Sequence, residues 1–250
     1  MRRNGSGLAS ALGRDDLDFT DRHVLVTGGT GALGAAVVAT LIAAGATCHV
    51  PSRGGARDRG VALPDHPRLN LVPGGDLADA RAVADLFAAL PGAPWASIHL
   101  AGGFAYAPIG ETSADTLARM LDGNFVSAFL CCRAAVAAMR RGGNGGRIVN
   151  VAARPALEWR AGANMTAYAA AKAAVAALTA ALAEEIAPDG ILVNAVAPSI
   201  IDTPANRAAM PKADTSRWPS PDDLARTILF LASPDNTVTR GAIVPVYGKS

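Results

Sequence analysis

Along this chain, short uninterrupted apolar runs alternate with longer stretches whose apolar positions recur at helical spacing. Val24-Leu25-Val26 is one such run, and runs of this kind fit strands covered on both faces. The pattern predicts strands over residues 23–27, 47–51, 68–72, 97–100, 147–151, 192–196 and 243–246. Between them it predicts helices near 32–44, 78–90, 114–140, 165–187 and 222–232. Strand and helix in regular alternation mean right-handed βαβ units and a parallel sheet. Ligands of such sheets lie beyond the carboxyl ends of the strands. Chemistry is therefore expected in the loops that follow them.

A chain of 250 residues fits one α/β domain with a large core. The fold class expected is a single-domain Rossmann fold, a doubly wound seven-stranded parallel sheet with helices on both faces. Residues 1–18 are polar, carry Arg2, Arg3 and Arg14, and lack the apolar segment of a secretory signal. They read as a flexible N-terminal extension to a domain spanning 19–250. Residues 23–52 contain no Lys, Arg, Asp or Glu, yet Gly28, Gly29, Gly31 and Gly34 break them into strand, turn, helix and strand. No membrane span is expected there. A net charge of +2 gives no reason to expect nucleic acid as a partner. Cys48, Cys131 and Cys132 lack metal-ligand spacing, so no metal is expected, and they suit reduced thiols in a cytoplasmic protein.

The first loop after a strand reads Thr27-Gly28-Gly29-Thr30-Gly31-Ala32-Leu33-Gly34. Glycines allow positive φ and close backbone approach, while the N–H groups at a helix start attract a pyrophosphate. Strand, glycine turn and helix in one βαβ unit are the context that a dinucleotide site requires. A purely structural tight turn, or another nucleotide-like ligand, is the alternative. The second strand ends at Ser52-Arg53 rather than at an acidic residue. An acidic side chain there would accept the ribose hydroxyls of NAD, whereas a 2′-phosphate needs hydroxyl and cationic partners. Ser52 and Arg53, with Arg57 and Arg59 nearby, therefore favour NADP(H) over NAD(H); a solvated basic loop is the plainer reading.

Tyr168 and Lys172 stand four apart in a predicted helix and so share one face. A free phenol titrates near pH ~10, and bringing it to neutrality needs roughly 4 kcal/mol. A neighbouring ammonium in a dry site can supply that much, which predicts a lowered pKa and a proton donor and acceptor useful at physiological pH. Alone, the pair is ordinary surface chemistry on an Ala-rich helix.

Taken in order, Thr27–Gly34, Asp76, Asn124, Tyr168-x-x-x-Lys172 and Asn194-Ala195-Val196-Ala197-Pro198 resemble the short-chain dehydrogenase/reductase family. The likeness runs from about Phe19 to Gly248. It implies that Gly28, Thr30, Gly31, Leu33 and Gly34 cradle the cofactor, that Asp76 and Leu77 contact its adenine, and that Ala101, Gly102 and Gly103 flank its ribose. It implies further that Pro198, Ile201 and Thr203 hold the nicotinamide carboxamide and nearby phosphates. Tyr168 would be the catalytic acid/base, Lys172 would bind the nicotinamide ribose and lower the phenol's pKa, and Asn124 would help to hold a relay water.

Two positions depart from the family pattern. Ala153 stands where a serine that hydrogen-bonds the substrate oxygen is usual, and His99-Leu100 stand where two asparagines are common. One lost hydrogen bond to a developing oxyanion costs on the order of 1–3 kcal/mol, or about 10- to 100-fold in rate. The chain should therefore prefer an activated acceptor, or borrow a donor from Asn164 or Thr166. His99 reads as a packing or hydrogen-bonding residue rather than a catalyst. Residues 99–104, 162–165 and 201–211 resemble the dihydropteridine reductase branch, which reduces an already polarised quinonoid C=N system; that branch typically prefers NADH.

Pocket walls are expected at 104–109, 154–164 and 199–220, with Phe104, Tyr106, Trp159 and Trp218 lining a pocket or anchoring loops. The proline-bounded segment 199–220 reads as a lid. The Ala-rich helices 114–140 and 165–187 are apolar on more than one side, and the resemblance implies that they pair across a two-fold axis in a homotetramer, with a dimer as the runner-up. The function expected is reduction or oxidation with NADP(H) of a small C=O or C=N substrate, an activated quinonoid pterin-like acceptor being one such compound. The alternatives are a 3-oxoacyl-type carbonyl reductase and a degenerate dehydrogenase that serves as an NADP(H)-binding sensor or scaffold.

Overall fold

The computed structural model describes residues 17–52 and 63–250. In chain order its main elements are β1 (His23–Thr27), α1 (Ala32–Ala43), β2 (Thr47–Ser52), β3 (Leu69–Pro73), α2 (Ala80–Ala88) and β4 (Ala96–His99). There follow α3 (Ala114–Leu121), α4 (Ser127–Gly142), β5 (Gly146–Val151), α5 (Arg154–Leu157) and α6 (Thr166–Glu185). The chain closes with β6 (Ile191–Pro198), α7 (Pro204–Ala209), α8 (Pro221–Ala232) and β7 (Ile243–Val246). The seven strands form one sheet in the order β3-β2-β1-β4-β5-β6-β7, with every pairing parallel. This is the Rossmann arrangement that the alternating pattern predicts. Winding reverses between β1 and β4, so the loops that leave these two strands diverge and open a crevice at the carboxyl edge.

Strand side chains alternate between faces, and both faces are covered. Val24, Val26, Val50, Ile98, Val149 and Val196 pack with Val37, Val38 and Leu41 of α1 and Ile228 and Leu231 of α8. On the opposite face Leu25, Ile148 and Val193 meet Val83 and Leu86 of α2, Cys131, Ala135 and Met139 of α4, and Ala183 of α6. The charge-free stretch 23–52 resolves into β1, α1 and β2, as its glycines predict. Two helical stretches, Ala114–Gly142 and Thr166–Glu185, are long and apolar enough to cross a membrane by length and composition. Here both contribute residues to the cores that cover the sheet.

The helices depart from the predicted pattern in informative ways. The expected helix 114–140 is broken by a π turn at Asp122–Val126, which joins α3 to α4. The second helix starts at Ala80 rather than 78, because the Asp79 carboxylate accepts from the N–H groups of Arg81 (2.7 Å) and Ala82 (3.3 Å) and so caps it. The short helices α5 and α7 are too brief to show a periodic signal and are not anticipated by the pattern. Arg53, Arg57 and Arg59 lie outside the described residues.

Candidate active site

β1 delivers Thr27 to the carboxyl edge, and the chain turns sharply at Gly28, whose φ is +69°. A Cβ on Gly28 would sit 2.6 Å from the amide nitrogen of Ala101 in the loop after β4. Backbone conformation and space both demand glycine here. The Gly31 N–H donates to the Gly28 carbonyl (3.0 Å), and Thr27 Oγ1 accepts from the Ala101 N–H (3.4 Å), which joins the two loops. Gly31 is the N-cap of α1 and brings no side-chain cap, and no acidic residue stands in the first turn. The first amides of α1 therefore face the crevice with their helix-end dipole unopposed, an anion cradle of half-buried Thr30, Gly31 and Leu33 with Gly34 buried behind.

The neighbouring strands bring the other expected cofactor residues to the same edge. Ser52 ends β2, half-buried and paired with Pro73 of β3. Asp76 and Leu77 follow β3; the Asp76 carboxylate accepts from the Ala78 N–H (3.1 Å) and Leu77 is buried. Ala101, Gly102 and Gly103 follow β4. Pro198 ends β6, the Ile201 carbonyl accepts from Asn206 Nδ2 (2.8 Å), and Thr203 caps α7 by accepting from the Asn206 N–H (3.2 Å). The segment 199–220 is laced down: the Asp202 N–H donates to the Pro219 carbonyl (2.9 Å), and the Lys249 N–H donates to the Arg217 carbonyl (2.8 Å).

α6 runs beneath this edge and carries Tyr168 and Lys172 on one face. The Lys172 Nζ lies 5.9 Å from the centre of the Tyr168 ring and donates to the Val151 carbonyl at the end of β5 (2.7 Å). Burial lowers the Lys172 ammonium to about 8 and pushes the Tyr168 phenol up to about 12. The sequence expectation of a lowered phenol is thus reversed in this structure, where burial raises it. At pH 7 the phenol is a held proton and Lys172 remains largely charged.

Asn124 lies in the π turn, 1% exposed. Its Oδ1 accepts from the Gly103 N–H (3.2 Å), and its Nδ2 donates to the carbonyls of Gly103 (3.1 Å) and Met120 (2.9 Å). Sequence reasoning singled out Asn124 for a relay water and missed this clamp on the loop after β4. π turns often mark functional sites, but no local residue pattern announces this one. A Cβ on Gly102 would meet Asn124 Oδ1 at 2.6 Å and Lys172 Nζ at 3.6 Å, so Gly102, Asn124 and Lys172 converge on one point.

Ala153 is buried at the N-cap of α5 and offers a methyl group where the resemblance expects a hydroxyl. Across the crevice, the Phe104 ring meets Tyr168 edge-on at 5.0 Å between centroids. The Ala107 N–H donates to the Asn164 carbonyl (2.7 Å) and Asn164 Nδ2 donates to Tyr106 Oη (3.2 Å), tying the loop after β4 to the start of α6. Trp159 is exposed and Trp218 half-buried. His99 is buried and held neutral, its pKa lowered to about 4 by desolvation, and it bridges Ser97 and Asn150. Among the described residues no group of three or more His, Cys, Asp or Glu side chains could hold a metal ion.

A sequence model described as short chain dehydrogenase matches residues 22–214. Galactitol 2-dehydrogenase of Rhizobium johnstonii is 36% identical over 243 residues, covering 90% of this chain and 93% of its own. The 3-oxoacyl-(acyl-carrier-protein) reductase MabA of Mycobacterium bovis is 29% identical over 241 residues, with 92% and 93% covered. Among solved structures, a short-chain type dehydrogenase/reductase from Mycobacterium ulcerans superposes with a TM-score of 0.80 at 26% identity, covering 93% of this chain and 90% of that one.

Proposed function

We propose that this chain, which belongs to the short-chain dehydrogenase family, is an NADP(H)-dependent oxidoreductase acting on a small C=O or C=N substrate. The observation that carries this reading is the convergence of Gly102, Asn124 and Lys172, with Tyr168 one helical turn away, at the carboxyl edge that also bears the glycine turn. The residues fit a dinucleotide: a Cβ would fill the Gly28 turn, and the α1 amides carry no side-chain cap. Gly28, Thr30, Gly31, Leu33 and Gly34 would hold its pyrophosphate, Asp76 and Leu77 its adenine, and Ala101, Gly102 and Gly103 its ribose. Ser52 and Arg53 would recognise a 2′-phosphate, while Pro198, Ile201 and Thr203 would hold the carboxamide end. A bound nicotinamide supplies or accepts the hydride.

This chain's own residues do the rest. Tyr168, kept protonated by burial, donates a proton to the substrate heteroatom as charge develops there, and takes it back in the oxidative direction. Lys172 anchors the cofactor ribose and places a positive charge beside the phenol, so that a phenolate formed in turnover is stabilised. Asn124 fixes Gly103 and with it the wall of the ribose site. The buried methyl of Ala153 favours an acceptor already polarised, such as a quinonoid pterin-like C=N compound.

The likeness to MabA along nearly the whole chain supports a second reading, a 3-oxoacyl-type carbonyl reductase. The same Ala153 methyl supports a third, an NADP(H)-binding sensor or scaffold derived from a dehydrogenase. Oxidation of NADPH and NADH is to be measured against quinonoid pterins, diketones, imines and acyl thioesters. Turnover of at least one acceptor with NADPH preferred is the expected result. Tight NADPH binding with no turnover of any acceptor would leave the sensor. A cytoplasmic compartment and a homotetramer complete the proposal, supported by three free buried thiols and by half-exposed Leu117 and Phe129 on α3 and α4.

A further inference from the structure

We infer that Tyr106, oriented by Asn164, is the second hydrogen-bond donor to the substrate heteroatom that Tyr168 protonates. The inference rests on the reading of Tyr168 just proposed. A carbonyl oxygen has two lone pairs, and preorganised donors aimed at an oxygen that gains charge lower the barrier to its reaction. Tyr168 serves one lone pair. On the β5 side Ala152 and Ala153 present buried methyls in place of a hydroxyl, and the Arg154 Nε is taken by Glu158 at 2.7 Å.

The opposite wall holds the donor. Ala105 and Tyr168 both pack against the cluster of Met120, Ala167 and Ala171, and Phe104 lies edge-on to the Tyr168 ring, so the loop carrying Tyr106 rests beside the proton donor. Tyr106 is 61% exposed, and the residues beside it on the loop, Phe104 and Ala105, pack on the Tyr168 ring and the adjoining cluster of Met120, Ala167 and Ala171. Its Oη accepts from Asn164 Nδ2 (3.2 Å). A hydroxyl that accepts in this way keeps its own proton to give, and it is aimed by the bond it receives. Asn164 is built for the task. Its φ of +61° is a left-handed value that asparagine tolerates better than most residues, and its carbonyl is pinned by the Ala107 N–H at 2.7 Å.

The test is steady-state reduction of whichever acceptor the wild type turns over, alongside NADPH binding followed by fluorescence and a thermal melt. Tyr106→Phe should lower kcat/KM about 10- to 100-fold, mostly in kcat, with NADPH affinity and Tm unchanged. Asn164→Gly keeps the left-handed backbone but removes the amide. It should lower kcat about 3- to 10-fold, and the double variant should be no slower than Tyr106→Phe alone. Ala153→Ser should restore much of the rate in the Tyr106→Phe background. Wild-type kcat in Tyr106→Phe, where Tyr168→Phe is inactive, would overturn this inference and leave the proposed function standing. A wild type that binds NADPH yet reduces nothing would overturn both.

Discussion

His99 sits 4% exposed in a chain of hydrogen bonds that fixes the role of its Nδ1. The Thr179 hydroxyl donates to the Val175 carbonyl and accepts from Asn150 Nδ2, which leaves Asn150 Oδ1 to accept from His99 Nδ1–H. The other ring nitrogen, Nε2, then accepts from the Ser97 hydroxyl at 2.8 Å. A proton added to that nitrogen would place a charge in a dry site. Desolvation accordingly lowers the pKa from 6.5 to about 4. Because the folded value lies below the unfolded one, the stability linked to His99 is fully present above pH 6.5 and is lost as pH falls toward 4. The loss should be on the order of 3 kcal/mol. Urea unfolding of wild type and His99→Gln between pH 4 and 7 checks this; a slope unchanged by the substitution would contradict it. Some slope should survive, since burial and His23 also lower His49. At this scale the i,i+4 spacing of Tyr168 and Lys172 was legible, while their protonation was not. Their burial comes from the loop carrying Phe104 and from the end of β5, residues remote in sequence.

Among the elements, the long predicted helix is where sequence and structure part most usefully. Apolar spacing continues through 114–140, so periodicity alone shows one helix, yet the π turn at Asp122–Val126 rotates Asn124 into a clamp on Gly103. Asn124 was therefore legible through the family resemblance and not through any local pattern. The glycine turn was legible because strand, turn and helix all carry their own signals, from Val24-Leu25-Val26 to the apolar run of α1. Gly102 tests the junction. Asn124 is buried and held by three hydrogen bonds, so it cannot yield to a Cβ placed 2.6 Å from its Oδ1. Gly102→Ala should lower turnover at least ~10-fold and stability by about 1–3 kcal/mol, from the Asn124–Gly103 pair it breaks. At about 2–4 °C per kcal/mol for a chain of this size, a melting scan resolves the change. An unaltered melt with full activity would mean that Asn124 is not fixed as described.

For the molecule as a whole, the alternation of strands and helices was enough to specify a parallel α/β sheet, since buried strands and right-handed crossovers leave few other solutions. β1 and β7 keep the predicted bounds, whereas the other strands shift by a residue or more, as at β6, which runs from Ile191 to Pro198 where the strand is predicted over 192–196. Its ends pair with β5 and β7 and so depend on partners that no local window contains. The proposed 2′-phosphate preference rests on Ser52 and Arg53, of which only Ser52 lies within the described residues. Sedimentation at micromolar concentration should give the mass of four chains; a monomer would contradict the proposed assembly. The account turns most directly on whether the Tyr168 phenol carries the proton. The measurement is NADPH-dependent turnover of Tyr168→Phe beside wild type, with NADPH affinity measured on both. The account predicts a rate lowered by at least ~100-fold with affinity retained, and equal rates in the two proteins would contradict it.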